Sequence, residues 1–250
     1  MPIKSLIFDL DGTAIPNQLD GMPSQTVIAA VQKAKNYCQV AVATGRPYEM
    51  TKNIADALEI EDFCIINGGA GIYSRKLADY VHQQEIDRDT LAELVARLQN
   101  FSNHEIADNK DLNRIVLGKY QAREAVSLTC VFSASEEEAP QIIELAQKIP
   151  GLTAHRVSSW LAGTYDIHIT HQLATKKHAM QKLLDLIQVE PSQVMVVGDG
   201  GNDLPLFELA GLKVAMGNAD SKLKEHADWI APSIDEDGLA TAIEKFILQK

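Results

Sequence analysis

Short apolar runs alternate with stretches of helical periodicity through the first third of the chain. Strands are predicted over residues 5–10, 38–43 and 63–67, the last closing on Gly68-Gly69-Ala70-Gly71, with helices over 24–36 and 48–58 between them. Short, continuously apolar strands separated by amphipathic helices predict a parallel sheet with right-handed crossovers. The pattern returns after about residue 172. Helices over 175–188, 204–210 and 221–226 then alternate with strands over 194–197, 213–215 and 229–230, ahead of a terminal helix.

The middle of the chain reads differently. A helix over 89–100 precedes strand-like segments over 114–117 and 127–133, and a second helix over 136–148 precedes strands over 152–157 and 165–170. That order, α-β-β-α-β-β, predicts a small open sheet carrying two helices. The predicted fold class is therefore α/β: a Rossmann-like, doubly wound parallel sheet core from residues 1–81 and 172–250, with an inserted α+β domain over 82–171.

Composition narrows the classes of function. The 250 residues are 46% hydrophobic and 23% charged, an ordinary globular balance with no apolar run long enough to span a membrane. The opening Met1-Pro2-Ile3-Lys4 runs straight into a strand, so no signal peptide is expected and the expected location is the cytoplasm. Cys38, Cys64 and Cys130 are scattered within apolar runs, which predicts buried residues in a reducing compartment rather than a zinc site. A net charge of −11 argues against nucleic acid and anionic membranes as partners, but not against a small phosphate ester that feels only local charge. Nothing in the sequence assigns an oligomeric state.

The chemistry lies where strands end. Leu6-Ile7-Phe8 runs into Asp9-Leu10-Asp11-Gly12-Thr13. Side chains alternate along a strand, so Asp9 and Asp11 point the same way, and their repulsion calls for a cation or a shared proton. Val40-Ala41-Val42-Ala43 ends in Thr44-Gly45-Arg46, where a hydroxyl, N–H groups and a guanidinium suit phosphate oxygens. Val194-Met195-Val196-Val197 ends in Gly198-Asp199-Gly200-Gly201-Asn202-Asp203, in which Asp199 and Asp203 supply the hard oxygens that Mg²⁺ takes. Lys176, opening the preceding helix, could set a fixed positive charge beside them. Ligands of open α/β sheets sit beyond the carboxyl ends of the strands, so these segments can converge.

Phe8-Asp9-Leu10-Asp11-Gly12-Thr13, Thr44-Gly45-Arg46, Lys176 and Gly198-Asp199-Gly200-Gly201-Asn202-Asp203 resemble, in order and spacing, the four motifs of the haloacid dehalogenase-like hydrolases. The insert resembles the type IIB cap of the Cof-like sugar phosphatases, and Ala215-Met216-Gly217-Asn218-Ala219 resembles a further segment of that subgroup. The resemblance implies that Asp9 is a nucleophile forming an aspartyl-phosphate. It implies that Asp11 is the acid and then the base, and that Mg²⁺ is held by Asp9, the Asp11 carbonyl and Asp199, with Asp203 behind them. Thr44, Gly45, Lys176 and Asn202 would bind the phosphoryl oxygens. The implied activity is hydrolysis of a small phosphorylated metabolite, such as a sugar or sugar-acid phosphate. Lys177 stands where the family often has glycine. The position before x-x-Ala-Met selects Lys176, with Lys177 the alternative.

Other readings remain beside these. The aspartate pair also serves phosphosugar mutases, and a strand-end aspartate with Mg²⁺ also serves receivers that keep their phosphoryl group. Gly198-x-Gly200 matches the start of a dinucleotide fingerprint, but Asp203 in place of the third glycine would face pyrophosphate. Gly68 to Gly71 reads as a packing turn, and His168 with His171 lacks the carboxylates that would complete a metal site. Arg46, Arg156, Trp160 and His168 are the candidate substrate contacts at the rim and in the insert, where Ser159, Tyr165 and Asp166 complete a polar and aromatic cluster.

Overall fold

Leu6, Ile7 and Phe8 are wholly buried, so β1 (Ser5–Phe8) is covered on both faces, as a central strand of a parallel sheet must be. The computed structural model describes residues 2–159 and 161–249. After β1 come α1 (Gln25–Ala34), β2 (Gln39–Ala43), α2 (Tyr48–Ala57), β3 (Phe63–Ile66), β4 (Gly71–Ser74) and β5 (Asp79–Gln83). The middle segment gives α3 (Arg88–Arg97), β6 (Glu105–Asp108), β7 (Ile115–Val116), β8 (Thr129–Ala134), α4 (Glu138–Gln147), β9 (Leu152–Ser158) and β10 (Tyr165–His171). The last third gives α5 (Lys176–Ile187), β11 (Val194–Gly198), α6 (Leu204–Phe207), β12 (Leu212–Ala215), α7 (Ser221–Glu225), β13 (Trp229–Ile230) and α8 (Gly238–Ile243).

The chain divides into two compact units, one running to His82 and resuming at Thr175, the other spanning Gln83–Ala174. The first holds an eight-stranded sheet in the order β13-β12-β11-β1-β2-β3-β4-β5. All pairings from β13 across to β3 are parallel, and β4 returns antiparallel to β3. The chain leaves β1 for β2 on one side and comes back to β11 on the other, so the order reverses at β1. Ligands of such sheets bind in the crevice at that reversal. Cys38 and Cys64 are buried in this unit and Cys130 in the other.

The second unit holds a five-stranded antiparallel sheet in the order β7-β6-β8-β10-β9, with its own apolar core. It has one strand more than the pattern predicts. Glu105-Ile106-Ala107-Asp108 is short and poor in β-branched residues, so its propensity is weak, and its pairing with β8 and β7 makes it a strand. The strands β4 and β5, the last two of the sheet on that side, also escape the pattern, because the glycine-rich segment before them reads as a turn.

Candidate active site

β1, β2 and β11 lie side by side, and the chain leaves each of them on a polar residue: Asp9, Thr44 and Asp199. The Asp9 N–H donates to the Val197 carbonyl at 3.0 Å, extending the β1–β11 pairing by one residue and fixing where the Asp9 side chain departs. The loop beyond turns back at Gly12, with φ +74°. A β-carbon there would lie 2.2 Å from Asp199 Oδ2, so only glycine lets the loop pass this carboxylate. Thr13 Oγ1 then donates to Asp199 Oδ1 at 3.2 Å.

Asp9, Asp199 and Asp203 present carboxylate oxygens that all lie within 4.8 Å of one another. Thr175 caps α5 by accepting from the His178 N–H, which sets Lys176 at the helix's first residue. Lys176 is 3% exposed, and its Nζ lies 3.0 Å from Asp9 Oδ2 and 2.7 Å from Asp203 Oδ1. The other Asp203 oxygen accepts from the N–H groups of Asp199 and Gly200. Lys177 goes elsewhere, to Glu208 on the surface, so Lys176 is the lysine brought into the cluster.

The electrostatics are those of a site short of positive charge. Burial, reinforced by Asp203, pushes the Asp9 carboxyl well above the usual range against the opposing pull of Lys176. Burial and then Asp203 push Asp199 up to about 7. Burial alone would lower Lys176, but Asp203 and Asp9 outweigh it and the net direction is up. Three carboxylates against one ammonium leave a formal charge of −2, which a divalent cation would cancel. All the donors are hard oxygens, the set Mg²⁺ prefers, so the residues fit that ion.

Thr44 is buried, and its hydroxyl accepts from the Arg46 N–H at 3.1 Å. Gly45 follows it at the exit of β2. Asn202 is exposed in the short 3-10 turn Gly201–Asp203, and its Oδ1 overlies Gly200. Arg46 is taken to a different partner from the phosphate it was expected to meet. Its Nε and Nη2 donate to both oxygens of Asp11, at 2.9 and 2.6 Å, while Nη1 and Nη2 also donate to the Leu19 and Gln18 carbonyls. At 7% exposure this guanidinium holds the loop after β1 and orients Asp11. Asn218 is a further support whose role the sequence did not show. Its Nδ2 donates to the Gly12 carbonyl at 2.8 Å and its Oδ1 accepts from the Ile234 N–H at 2.9 Å, tying the same loop to the C-terminal segment.

In the inserted unit the proposed cluster does not stay together. Arg156 lies opposite Ile167 and His168 opposite His155 across the β9–β10 ladder, so Arg156 and His168 point to opposite faces of the sheet. Arg156 shares the face of the unit's apolar core, pairs with Glu136 at 2.9 Å and covers the Tyr165 ring. His168 sits edge-on to His155, with ring centroids 5.6 Å apart. Asp166 is buried and accepts from the Ser133 N–H, a structural bond at a β-bulge. Trp160 lies outside the described residues.

The family model of the haloacid dehalogenase-like hydrolases matches residues 6–119 and 101–243. Among curated proteins, the 5-amino-6-(5-phospho-D-ribitylamino)uracil phosphatase YitU of Bacillus subtilis is 25% identical over 264 residues, covering 96% of each chain. Among solved structures, a phosphatase of the same superfamily from Bacteroides thetaiotaomicron superposes with a TM-score of 0.81 at 25% identity, covering 98% of this chain and 95% of the other. A HAD subclass IIB sugar phosphatase superposes with a TM-score of 0.80 at 21% identity, covering 97% and 98%. With this match along nearly its whole length, the chain belongs to the haloacid dehalogenase-like hydrolases, and its fold is that of the subclass IIB, Cof-like members.

Proposed function

We propose that the protein is a Mg²⁺-dependent phosphomonoesterase that acts on a small phosphorylated metabolite, a sugar phosphate or sugar-acid phosphate, through an aspartyl-phosphate on Asp9. The observation that carries this reading is the convergence of Asp9, Asp199 and Asp203 on the buried Lys176 at the reversal point of the sheet. The names of relatives, a ribitylamino-uracil phosphate phosphatase and a sugar phosphatase, support the same class.

On this reading an Asp9 oxygen attacks phosphorus, forming the O–P bond as the ester O–P bond breaks. The departing alkoxide takes a proton from Asp11, which then removes one from the water that attacks the phosphoryl-aspartate and frees inorganic phosphate. Asp9, the Asp11 carbonyl and Asp199 would hold Mg²⁺, with Asp203 behind them. Bound there, the ion supplies charge compensation for the phosphoryl oxygens. Thr44, Gly45, Lys176 and Asn202 would bind those oxygens. Arg46 donates one bond to each oxygen of Asp11, which leaves a second lone pair on each oxygen for the proton that moves.

The test is inorganic phosphate release from a panel of phosphorylated metabolites, with Mg²⁺ and with EDTA, beside an Asp9→Asn variant. Metal-dependent release that the variant abolishes is expected. No release from any ester by folded, Mg²⁺-loaded protein would overturn the reading.

A further inference from the structure

Residues 216–220, between β12 and α7, are bonded to both loops that carry the oxygens assigned to Mg²⁺. At one end, the Met216 N–H donates to the Gly198 carbonyl at 2.9 Å. At the other, the Asp220 N–H donates to the Asp199 carbonyl at 3.0 Å, so both ends grip the main chain around Asp199. From the middle, Asn218 Nδ2 donates to the Gly12 carbonyl at 2.8 Å, one residue beyond Asp11. The segment has its own seat. The Gly217 N–H donates to the Pro232 carbonyl at 3.0 Å, and the Ile234 N–H donates to Asn218 Oδ1 at 2.9 Å. A β-carbon on Gly217 would lie 2.7 Å from the Ser233 nitrogen, so the two segments lie close against each other. Asn218 is exposed, and water could satisfy its amide. Both of its groups are committed to main chain instead, its donor to a carbonyl and its acceptor to an N–H.

The turn after Asp11 needs such a hold. Glycine permits the φ of +74° at Gly12, and the same freedom lets the flanking peptide planes swing. Within the loop, the Gly12 N–H donates to the Ile15 carbonyl at 2.8 Å and the Thr13 N–H to the Leu10 carbonyl at 3.1 Å. A trans peptide points its carbonyl opposite to its N–H, so the Asp11 carbonyl is turned away from Ile15. The Gly12 carbonyl is the next along the chain. Its bond to Asn218 ties the turn to the segment that also holds Asp199.

We propose that residues 216–220 form a strap that fixes the separation between the Asp11 carbonyl and Asp199. Asn218 is its positioning residue, acting through Gly12 rather than on the ion, and it sets the site's affinity for Mg²⁺ and the preference for Mg²⁺ over larger cations. Mg²⁺ demands near-octahedral geometry and tolerates little change in donor spacing, whereas Ca²⁺ accepts irregular shells. Loosening the strap therefore weakens Mg²⁺ more than Ca²⁺. The inference rests on the metal assignment of the phosphomonoesterase reading and adds to it what holds two of the donors in register.

The test is calorimetric titration of Mg²⁺, and separately of Ca²⁺, into the metal-free full-length protein without any ester. Asn218→Ala removes an exposed side chain and opens no core cavity. It should raise the Kd for Mg²⁺ about tenfold and that for Ca²⁺ by less. Ile234→Pro deletes the N–H that anchors the Asn218 carbonyl. Residue 234 opens a 3-10 turn after Ser233 in an extended conformation, where proline is tolerated. It should raise the Mg²⁺ Kd about threefold. If Asn218→Ala does not fold, Ile234→Pro decides the matter by the same Kd. An unchanged Mg²⁺ Kd, or Mg²⁺ and Ca²⁺ weakened equally, would show a merely structural tie and overturn the inference. Mg²⁺ binding that responds as expected, with no phosphate release from any ester, would overturn the phosphatase and leave the strap. No Mg²⁺ binding by the unmodified protein would overturn both.

Discussion

The two units place their polar side chains by different rules. In the parallel sheet the chemical groups sit where strands end, and topology gathers Asp9, Thr44 and Asp199 from three neighbouring strands. In the inserted antiparallel sheet they lie along the strands, where the pleat sends consecutive residues to opposite faces. Arg156 and His168 are close in sequence and on adjacent strands, yet they do not share a surface. In the first unit, then, identity and strand-end position suffice to bring residues together. In the second, register decides, and register depends on pairings that no local pattern specifies.

The largest effect that should separate the two regions is on stability. Lys176→Met leaves Asp9 and Asp203 buried without their ammonium partner, and breaking a buried ion pair from one side costs about 3–5 kcal/mol. A calorimetric melt of the metal-free variant should show that loss, and added Mg²⁺ should restore part of it. A melt unchanged from the unmodified protein would mean that the cluster is not electrostatically linked.

Next comes Arg46→Lys. It keeps a positive charge but loses the fork that engages both Asp11 oxygens, so steady-state kinetics should show kcat falling about tenfold or more. KM should change little, because the guanidinium orients Asp11 rather than touching the ester. A rise in KM with kcat intact would return Arg46 to the substrate site.

That difference marks how far the sequence could be read. The strand-end motifs were legible, because each depends on residue type at a place that periodicity locates, whereas the order of the strands was not read and Lys177 stayed open as an alternative to Lys176. Arg46 was legible as a residue near the site but not as the partner of Asp11, since a guanidinium serves phosphate and carboxylate equally well. Asn218 carried no chemical signal of its own and shows itself only through bonds between segments some 200 residues apart. β6 was illegible because its four residues gain their strand character from β8 and β7 rather than from propensity.

A smaller effect belongs to the inserted unit. Burial pushes His168 down to about 4 from an ordinary value of 6.5, so in that interval the unfolded chain binds a proton that the folded one refuses. Its contribution to stability is complete above about 6.5 and is lost as pH falls towards 4. Denaturant melts across that window should show the decline, and His168→Gln should flatten it. The smallest effect is Arg156→Met, which breaks an ion pair whose side chains are 44% and 66% exposed. Stability should move by less than about 1 kcal/mol. Phosphate release should stay within error, and a marked loss would place a functional surface on the helix-covered face of this sheet.

The most direct test of the central claim is to trap the phosphoryl group. Mg²⁺-loaded protein mixed with the ³²P-labelled ester that it turns over best should yield, on rapid acid quench, a base-labile label on the peptide containing Asp9, and Asp9→Asn should yield none. Label on another residue, or full phosphate release from Asp9→Asn, would contradict a nucleophilic Asp9 and the site built around it.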